Sequence, residues 1–183
     1  MALLAGVLIT ALIAWVIVAF NRLVRLRNQV RTAWADIDVQ LQRRHDLIPQ
    51  LVSVVKGYAA HEKATLEAVT ALRAKAQRST GAASQGIAET ALEQALARLV
   101  ALKEAYPELK ANENFAQLSA ALVTVEDHLQ FSRRFYNGAV RDNNDAIQRV
   151  PDLLIARSFG FSESEFFQAE ASSREAPKVE LAP

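Results

Sequence analysis

Residues 2–20 read ALLAGVLITALIAWVIVAF and contain no charged side chain. As an α-helix this run rises about 28 Å, close to the roughly 30 Å hydrocarbon thickness of a bilayer. No basic segment precedes it, and no small-x-small cleavage site follows it before the first arginine. We therefore expect an uncleaved transmembrane anchor. A cleaved signal peptide and a buried core helix are the alternatives.

The segment that follows the apolar run is strongly basic. It contains Arg22, Arg25, Arg27 and Arg31, and its first acidic residue is Asp36. Positive flanks stay on the cytoplasmic side of a membrane, so we expect a short N-terminus outside and the rest of the chain in the cytoplasm. The four arginines either bind anionic lipid headgroups as well or only set the topology.

Beyond the anchor, the composition is that of a water-soluble helical protein. The 183 residues include 6 glycines, 5 prolines and no cysteine, and the formal net charge is +1. Few glycines and prolines favour helices over a β-sandwich or barrel. The lack of cysteine excludes disulfides, thiolate metal sites and cysteine nucleophiles. The near-zero net charge argues against nucleic acid as a partner.

Two long stretches, residues 21–57 and 113–147, have apolar residues in steps of three and four, the seam spacing of a coiled coil. Asn112 or Asn114 can cap the second stretch. Polar residues occupy four seam positions: Arg27 and Arg44 in the first stretch, and Ser132 and Asn143 in the second. Ser132 and Asn143 either fix the register of the packed helices or lie at a solvated edge.

The two long stretches have nearly equal length, which predicts an antiparallel pair. Shorter helices over residues 62–76 and 87–105, joined by a linker at 77–86, are expected to cover this pair. Pro49 removes a backbone donor and crowds the carbonyl group of His45, so we expect a helix kink there. The predicted fold is all-α: an anchor (residues 1–20), a four-helix-bundle-like domain (21–150) and a C-terminal segment (151–183). The helices pair either within one chain or between chains.

The C-terminal segment begins with the unusually apolar sequence PDLLIARSFGFSESEFF. Its large apolar residues are Leu153, Leu154, Ile155, Phe159, Phe161, Phe166 and Phe167. The segment either enters the membrane interface, docks on a neighbouring subunit, or folds back and covers the bundle core. Residues 172–183 are expected to be disordered.

The sequence offers little for catalysis. The three histidines, His45, His61 and His128, have none of the Glu-x-x-His or His-x-x-x-His spacings that build metal sites on helices. Phosphate-binding loops, dinucleotide fingerprints and nucleophile elbows do not occur either. We expect no catalytic residues, no metal and no cofactor, and hence no enzyme.

Several long stretches resemble the LemA family of bacterial membrane-anchored proteins. They are NRLVRLRNQVRTAWADIDVQLQRRHDLIPQLVSVVKGYAAHEKATLEAV, EAYPELKANENFAQL, FSRRFYNGAVRDNNDAIQRVP, and FGF with the later FFQAE and APKVEL. One departure is Asn143-Asn144, where the family usually has Tyr-Asn, so a small polar residue replaces an aromatic seam residue.

The resemblance implies one membrane span in the bacterial inner membrane, a helical bundle and no established catalysis. Some family members are associated with membrane metalloproteases or with membrane organisation, which makes a membrane-protein partner an expectation here. We therefore expect a helical scaffold or adaptor that forms homo-oligomers. The alternative is a signalling module that relays a conformational change along the first helix, through Pro49, to a soluble partner.

Overall fold

The computed structural model describes residues 1–167, most of which are helical and none of which form a β-strand. The helices are α1 (Ala2–Tyr58), α2 (Lys63–Arg78), α3 (Ala82–Ala101), α4 (Pro107–Lys110), α5 (Glu113–Gln148) and α6 (Asp152–Ser158), with a 3-10 turn at Leu102–Glu104. The prediction of an all-α fold is confirmed. These residues form two compact units: a first unit of Met1–Val39 with Gln130–Phe166, and a second unit of Gln40–Leu129 with Phe167.

The first unit is built on antiparallel parts of α1 and α5. Leu23 of α1 is buried in one cluster with Ile147 of α5. Farther along α1, Trp34 meets Tyr136 of α5, with ring centroids 5.3 Å apart. Residue numbers therefore rise along α1 as they fall along α5, which is the pairing that the two seams predict.

The second unit is a four-helix core made by α2, α3, the later part of α1 and the early part of α5. Its antiparallel arrangement of α1 and α5 is visible at Tyr58, whose hydroxyl accepts a hydrogen bond from Asn112 Nδ2 at 3.0 Å. The side chain of Asn112 also caps α5, because its Oδ1 accepts the backbone N–H of Phe115 at 2.9 Å. The largest buried apolar residues of this core are Ile48, Leu51, Leu66, Leu92, Leu96, Leu99, Leu109 and Phe115.

The predicted linker at residues 77–86 is wrong in extent. Helix α2 continues to Arg78 and α3 already begins at Ala82, so the connection is only residues 79–81. Alanine and glutamine are good helix formers, and the burial of Ala82 and Gly86 supports the extra turn of α3. Gly81 makes the turn with a φ of 85°, a left-handed conformation that suits glycine.

The ends of the other helices also differ in part from the predictions. The helix predicted to reach residue 105 ends at Ala101 and tightens into the 3-10 turn, and the short helices α4 and α6 were not predicted. Helix α1 continues without interruption through Pro49 to Tyr58. By contrast, α5 agrees with the predicted stretch to within one residue, because the capping residue and Pro151 mark its two ends.

Candidate functional site

The N-terminal part of α1 has the properties of a membrane anchor. It is the one helix among residues 1–167 that is long and apolar enough to cross a bilayer, with a mean hydropathy of 2.7 over 18 residues. Only 6% of that window is buried within the protein. A core helix of the same composition would be covered by other elements, whereas nearly all of this window is exposed.

The four arginines after the anchor have different surroundings. Arg22 forms a salt bridge with Asp152 of α6, with Nη1 and Oδ2 2.8 Å apart. The guanidinium of Arg27 lies over the ring of Phe161, 4.9 Å from its centroid. Arg25 and Arg31 are exposed. Two of the four side chains are thus held by the C-terminal segment, and two are open to solvent or headgroups.

Aromatic rings gather where the apolar run ends. The ring of Phe20 meets Phe159 and Phe161 edge to face, with centroid distances of 5.0 and 5.7 Å. We call Phe20, Arg27, Phe159 and Phe161 the juxtamembrane cluster. This contact brings the C-terminal segment back to the last turn of the anchor.

The apolar residues of the C-terminal segment divide into two sets. Ile155, Phe161 and Phe167 are buried, and Leu153 is half-buried. Leu154, Phe159 and Phe166 are exposed. With Ile155 and Phe161, the segment therefore covers part of the core of the first unit. Its other apolar side chains are exposed. The predicted disorder of residues 172–183 lies outside the described residues.

A network of charged side chains lies in the core of the second unit. Arg44 of α1 is 0% exposed, and its Nη1 donates to Glu89 Oε2 of α3 at 3.0 Å. Its Nη2 forms ion pairs with Glu126 of α5 and, at 3.9 Å, with Glu93 of α3. His45 Nε2 donates to the other oxygen of Glu89 at 2.8 Å. We call these five residues the Arg44 network.

A second polar contact of this core lies one helical turn before Pro49. A proline at 49 cannot donate to the carbonyl group of residue 45, which is left without its usual partner in α1. Arg73 of α2 supplies the missing donor, because its Nε donates to the His45 carbonyl oxygen at 2.8 Å. The helix thus accommodates Pro49 through a bond from a neighbouring helix.

The two polar seam residues of α5 differ in burial. Asn143 is buried, whereas Ser132 is half-buried and lines a groove with Asp36 and Phe135. Next to Asn143, the Asn144 side chain makes two hydrogen bonds to the backbone of Ser164, both at 2.9 Å. This amide pairing fastens the C-terminal segment to α5.

Tyr136 makes a further contact with the same segment. Its hydroxyl donates to the Glu165 carbonyl oxygen at 2.8 Å. Burial raises the pKa of Tyr136 above its ordinary value of 10.0, and the nearby Glu165 carboxylate adds to the effect. The hydroxyl therefore remains a donor throughout the physiological pH range.

Sequence reasoning found Arg44 but missed its partners. Arg44 stands out because it occupies an apolar seam position. Glu89, Glu93 and Glu126 lie on helices whose spacing does not distinguish them from surface residues. Within residues 1–167, no group of three or more His, Asp or Glu side chains is arranged to hold a metal ion.

Comparisons with known proteins identify relatives along most of the chain. The model of the LemA family matches residues 33–181. Magnetosome protein MamQ 2 of Paramagnetospirillum magneticum is 25% identical over 189 residues, which cover 87% of this chain and 68% of that protein. Protein LemA of Metamycoplasma hominis is 24% identical over 155 residues, which cover 84% and 71%. Neither name refers to a chemical reaction.

Proposed function

This chain belongs to the LemA family, and we propose that it is a membrane-anchored helical scaffold or adaptor that self-associates and performs no catalysis. The observation that carries the proposal is the continuity of α1. One helix, Ala2–Tyr58, begins as an exposed apolar span and continues into the four-helix core of the second unit. Such a helix ties a folded body directly to a bilayer, which we propose to be the bacterial inner membrane.

An exposed aromatic surface on the first unit supports self-association. Phe131 and Phe135 of α5 are 72% and 50% exposed, and their four-residue spacing puts them on one face. The guanidinium of Arg134 lies 5.0 Å from the centroid of the Phe131 ring. Together with Asp36 of α1, these residues line a groove of about 420 Å³. Large aromatic side chains with this exposure are typical of interaction surfaces.

A second copy of the chain is the occupant that we propose for this groove. In a two-fold contact, each partner presents the same surface, so Arg134 of one copy can face Asp36 of the other. The groove thus carries both halves of an ion pair beside its two phenylalanines.

Charge reversal tests this arrangement in the full-length protein in liposomes, with dimers measured by chemical crosslinking. Arg134→Glu and Asp36→Lys should each reduce dimer yield, and the double variant should restore it because the pair is re-formed in reverse. Lys75→Glu, on the exposed surface of α2, is the control. Unchanged dimer yield in both single variants would contradict self-association through this groove.

The membrane part of the proposal has its own test. The full-length protein should stay in the membrane pellet after washing with alkaline carbonate and enter solution only with detergent. Release by carbonate alone would overturn the anchor, and with it the proposed function.

A second candidate function is a signalling module that relays a change along α1. It is favoured by the position of Pro49 within α1, beside the Arg73 bond and the Arg44 network. Pro49→Ala should then change which proteins crosslink to the chain in native membranes, at unchanged abundance. An unchanged crosslinking pattern would count against the relay and leave the scaffold proposal intact.

A further inference from the structure

Helix α6 has two unlike sides. Ile155 and Ala156 are buried in the first unit together with Leu23 and Ile147. On the other side, Leu154 is 61% exposed and Phe159, just after the helix, is 55% exposed. A short helix that places apolar side chains outward leaves them in water unless another surface covers them.

The juxtamembrane cluster fixes the level of these exposed side chains relative to the bilayer. Phe20 is the last residue of the apolar run, so it lies at the end of the hydrocarbon region when residues 2–20 span the membrane. The Phe159 ring lies 5.0 Å from the Phe20 ring. Phe159 is therefore at the depth of the membrane interface, where aromatic side chains are favoured.

The charges around α6 also suit a membrane surface. The carboxylate of Asp152, the acidic residue at the start of the helix, is paired with Arg22. Arg149 and Arg157, one at each end of α6, are exposed. An apolar side flanked by exposed guanidinium groups matches the boundary between acyl chains and anionic headgroups.

We propose that α6 and Phe159 form a second membrane contact beside the anchor. Leu154 and Phe159 insert into the interface of the leaflet that faces the helical units, while Arg149 and Arg157 bind anionic headgroups. The inference rests on the proposed function only in that residues 2–20 span the bilayer.

The lack of cysteine makes a direct test simple. Leu154→Cys and Phe159→Cys in the full-length chain are each labelled with an environment-sensitive fluorophore and reconstituted into vesicles of phosphatidylcholine and phosphatidylglycerol. Phe131→Cys is the matched control. Phe131 is an exposed phenylalanine on α5 that lies about 24 Å along the helix from Ile147 of the buried cluster. Leu154→Cys changes an exposed side chain, and circular dichroism verifies its fold.

Lipids brominated near the glycerol backbone should quench most of the fluorescence of the labels at 154 and 159, and leave the label at 131 bright. Equal quenching at all three sites, in protein that resists carbonate washing, would overturn the inference while the anchor stands. Labels at 154 and 159 that are shielded from aqueous iodide but not quenched by brominated lipid would also overturn it, because a protein partner would then cover α6.

The arginines have a separate readout. Arg149→Glu with Arg157→Glu should reduce quenching at 154 in vesicles that contain phosphatidylglycerol, relative to the parent. Equal quenching in parent and variant would remove the headgroup part of the proposal.

Discussion

Replacing Arg44 should lower the stability of the second unit more than replacing any other residue. Removing one member of a buried ion pair leaves the other charge uncompensated, which typically costs about 3–5 kcal/mol. Arg44→Met should therefore lower the free energy of unfolding by an amount in this range, measured by denaturant titration in detergent micelles. Its neighbour Arg43 is exposed, so Arg43→Met should change stability by less than about 0.5 kcal/mol. Equal effects of the two substitutions would contradict the role of the Arg44 network.

Tyr136 should make the first unit sensitive to alkaline pH. The folded protein holds the phenolic proton more tightly than the unfolded chain, because burial raises the pKa of Tyr136 above 10.0. Its contribution is therefore complete below pH 10 and is lost as pH rises through the higher folded-state pKa. Tyr136→Phe should lose about 1 kcal/mol at pH 8, from the missing hydrogen bond to Glu165.

The pH dependence distinguishes this effect from simple repacking. Thermal unfolding measured between pH 8 and pH 11 should show a smaller decline for Tyr136→Phe than for the parent protein. Parallel declines would mean that the Tyr136 hydroxyl does not contribute to alkaline sensitivity.

At the scale of the helix, Pro49 and Arg73 should act as a coupled pair. Arg73→Met leaves the His45 carbonyl group without its donor and should lower the free energy of unfolding by about 1–3 kcal/mol. In the Pro49→Ala background, the restored backbone N–H can donate to that carbonyl, so the same change should cost less. A double-mutant cycle by denaturant unfolding measures the difference, with Lys75→Met as the exposed control on α2. Additive effects would contradict the coupling.

The helices that sequence predicts well are those with local signals at both ends. For α5, Asn112 caps the start, the apolar spacing marks the buried face and Pro151 follows the end. The observed bounds of α5 therefore agree closely with the predicted ones. The start of α3 has no such signal, and the helix over residues 82–86 depends on the burial of Ala82 and Gly86 as well as on the helix propensity of alanine and glutamine. Ser132 and Asn143 have the same seam spacing but differ in burial, so the spacing alone does not tell which polar seam residue is covered.

The same limit applies to the candidate sites. The length of the apolar run and the charge of the segment after it are local properties, which the sequence shows directly. The partners of Arg44 come from α3 and α5, and the partner of the His45 carbonyl comes from α2. Such contacts join residues far apart in the chain, and neither spacing nor composition encodes them.

For the whole molecule, the orientation in the membrane remains a prediction from the positive flank. Ala2→Cys should react with a membrane-impermeant maleimide in intact spheroplasts, whereas Lys75→Cys should react only after lysis. The cysteine-free parent controls for background labelling. Reaction of Lys75→Cys before lysis, with protection of Ala2→Cys, would reverse the predicted topology.

The bond from Arg73 to the backbone of α1 has an evolutionary consequence. A proline in a core helix leaves one backbone carbonyl group without its usual N–H donor. Because Arg73 supplies that donor here, the two positions should be inherited together. Among relatives, those with proline at the position of Pro49 should keep a long donor side chain at the position of Arg73. Lineages that have replaced the proline should be free to vary the other residue.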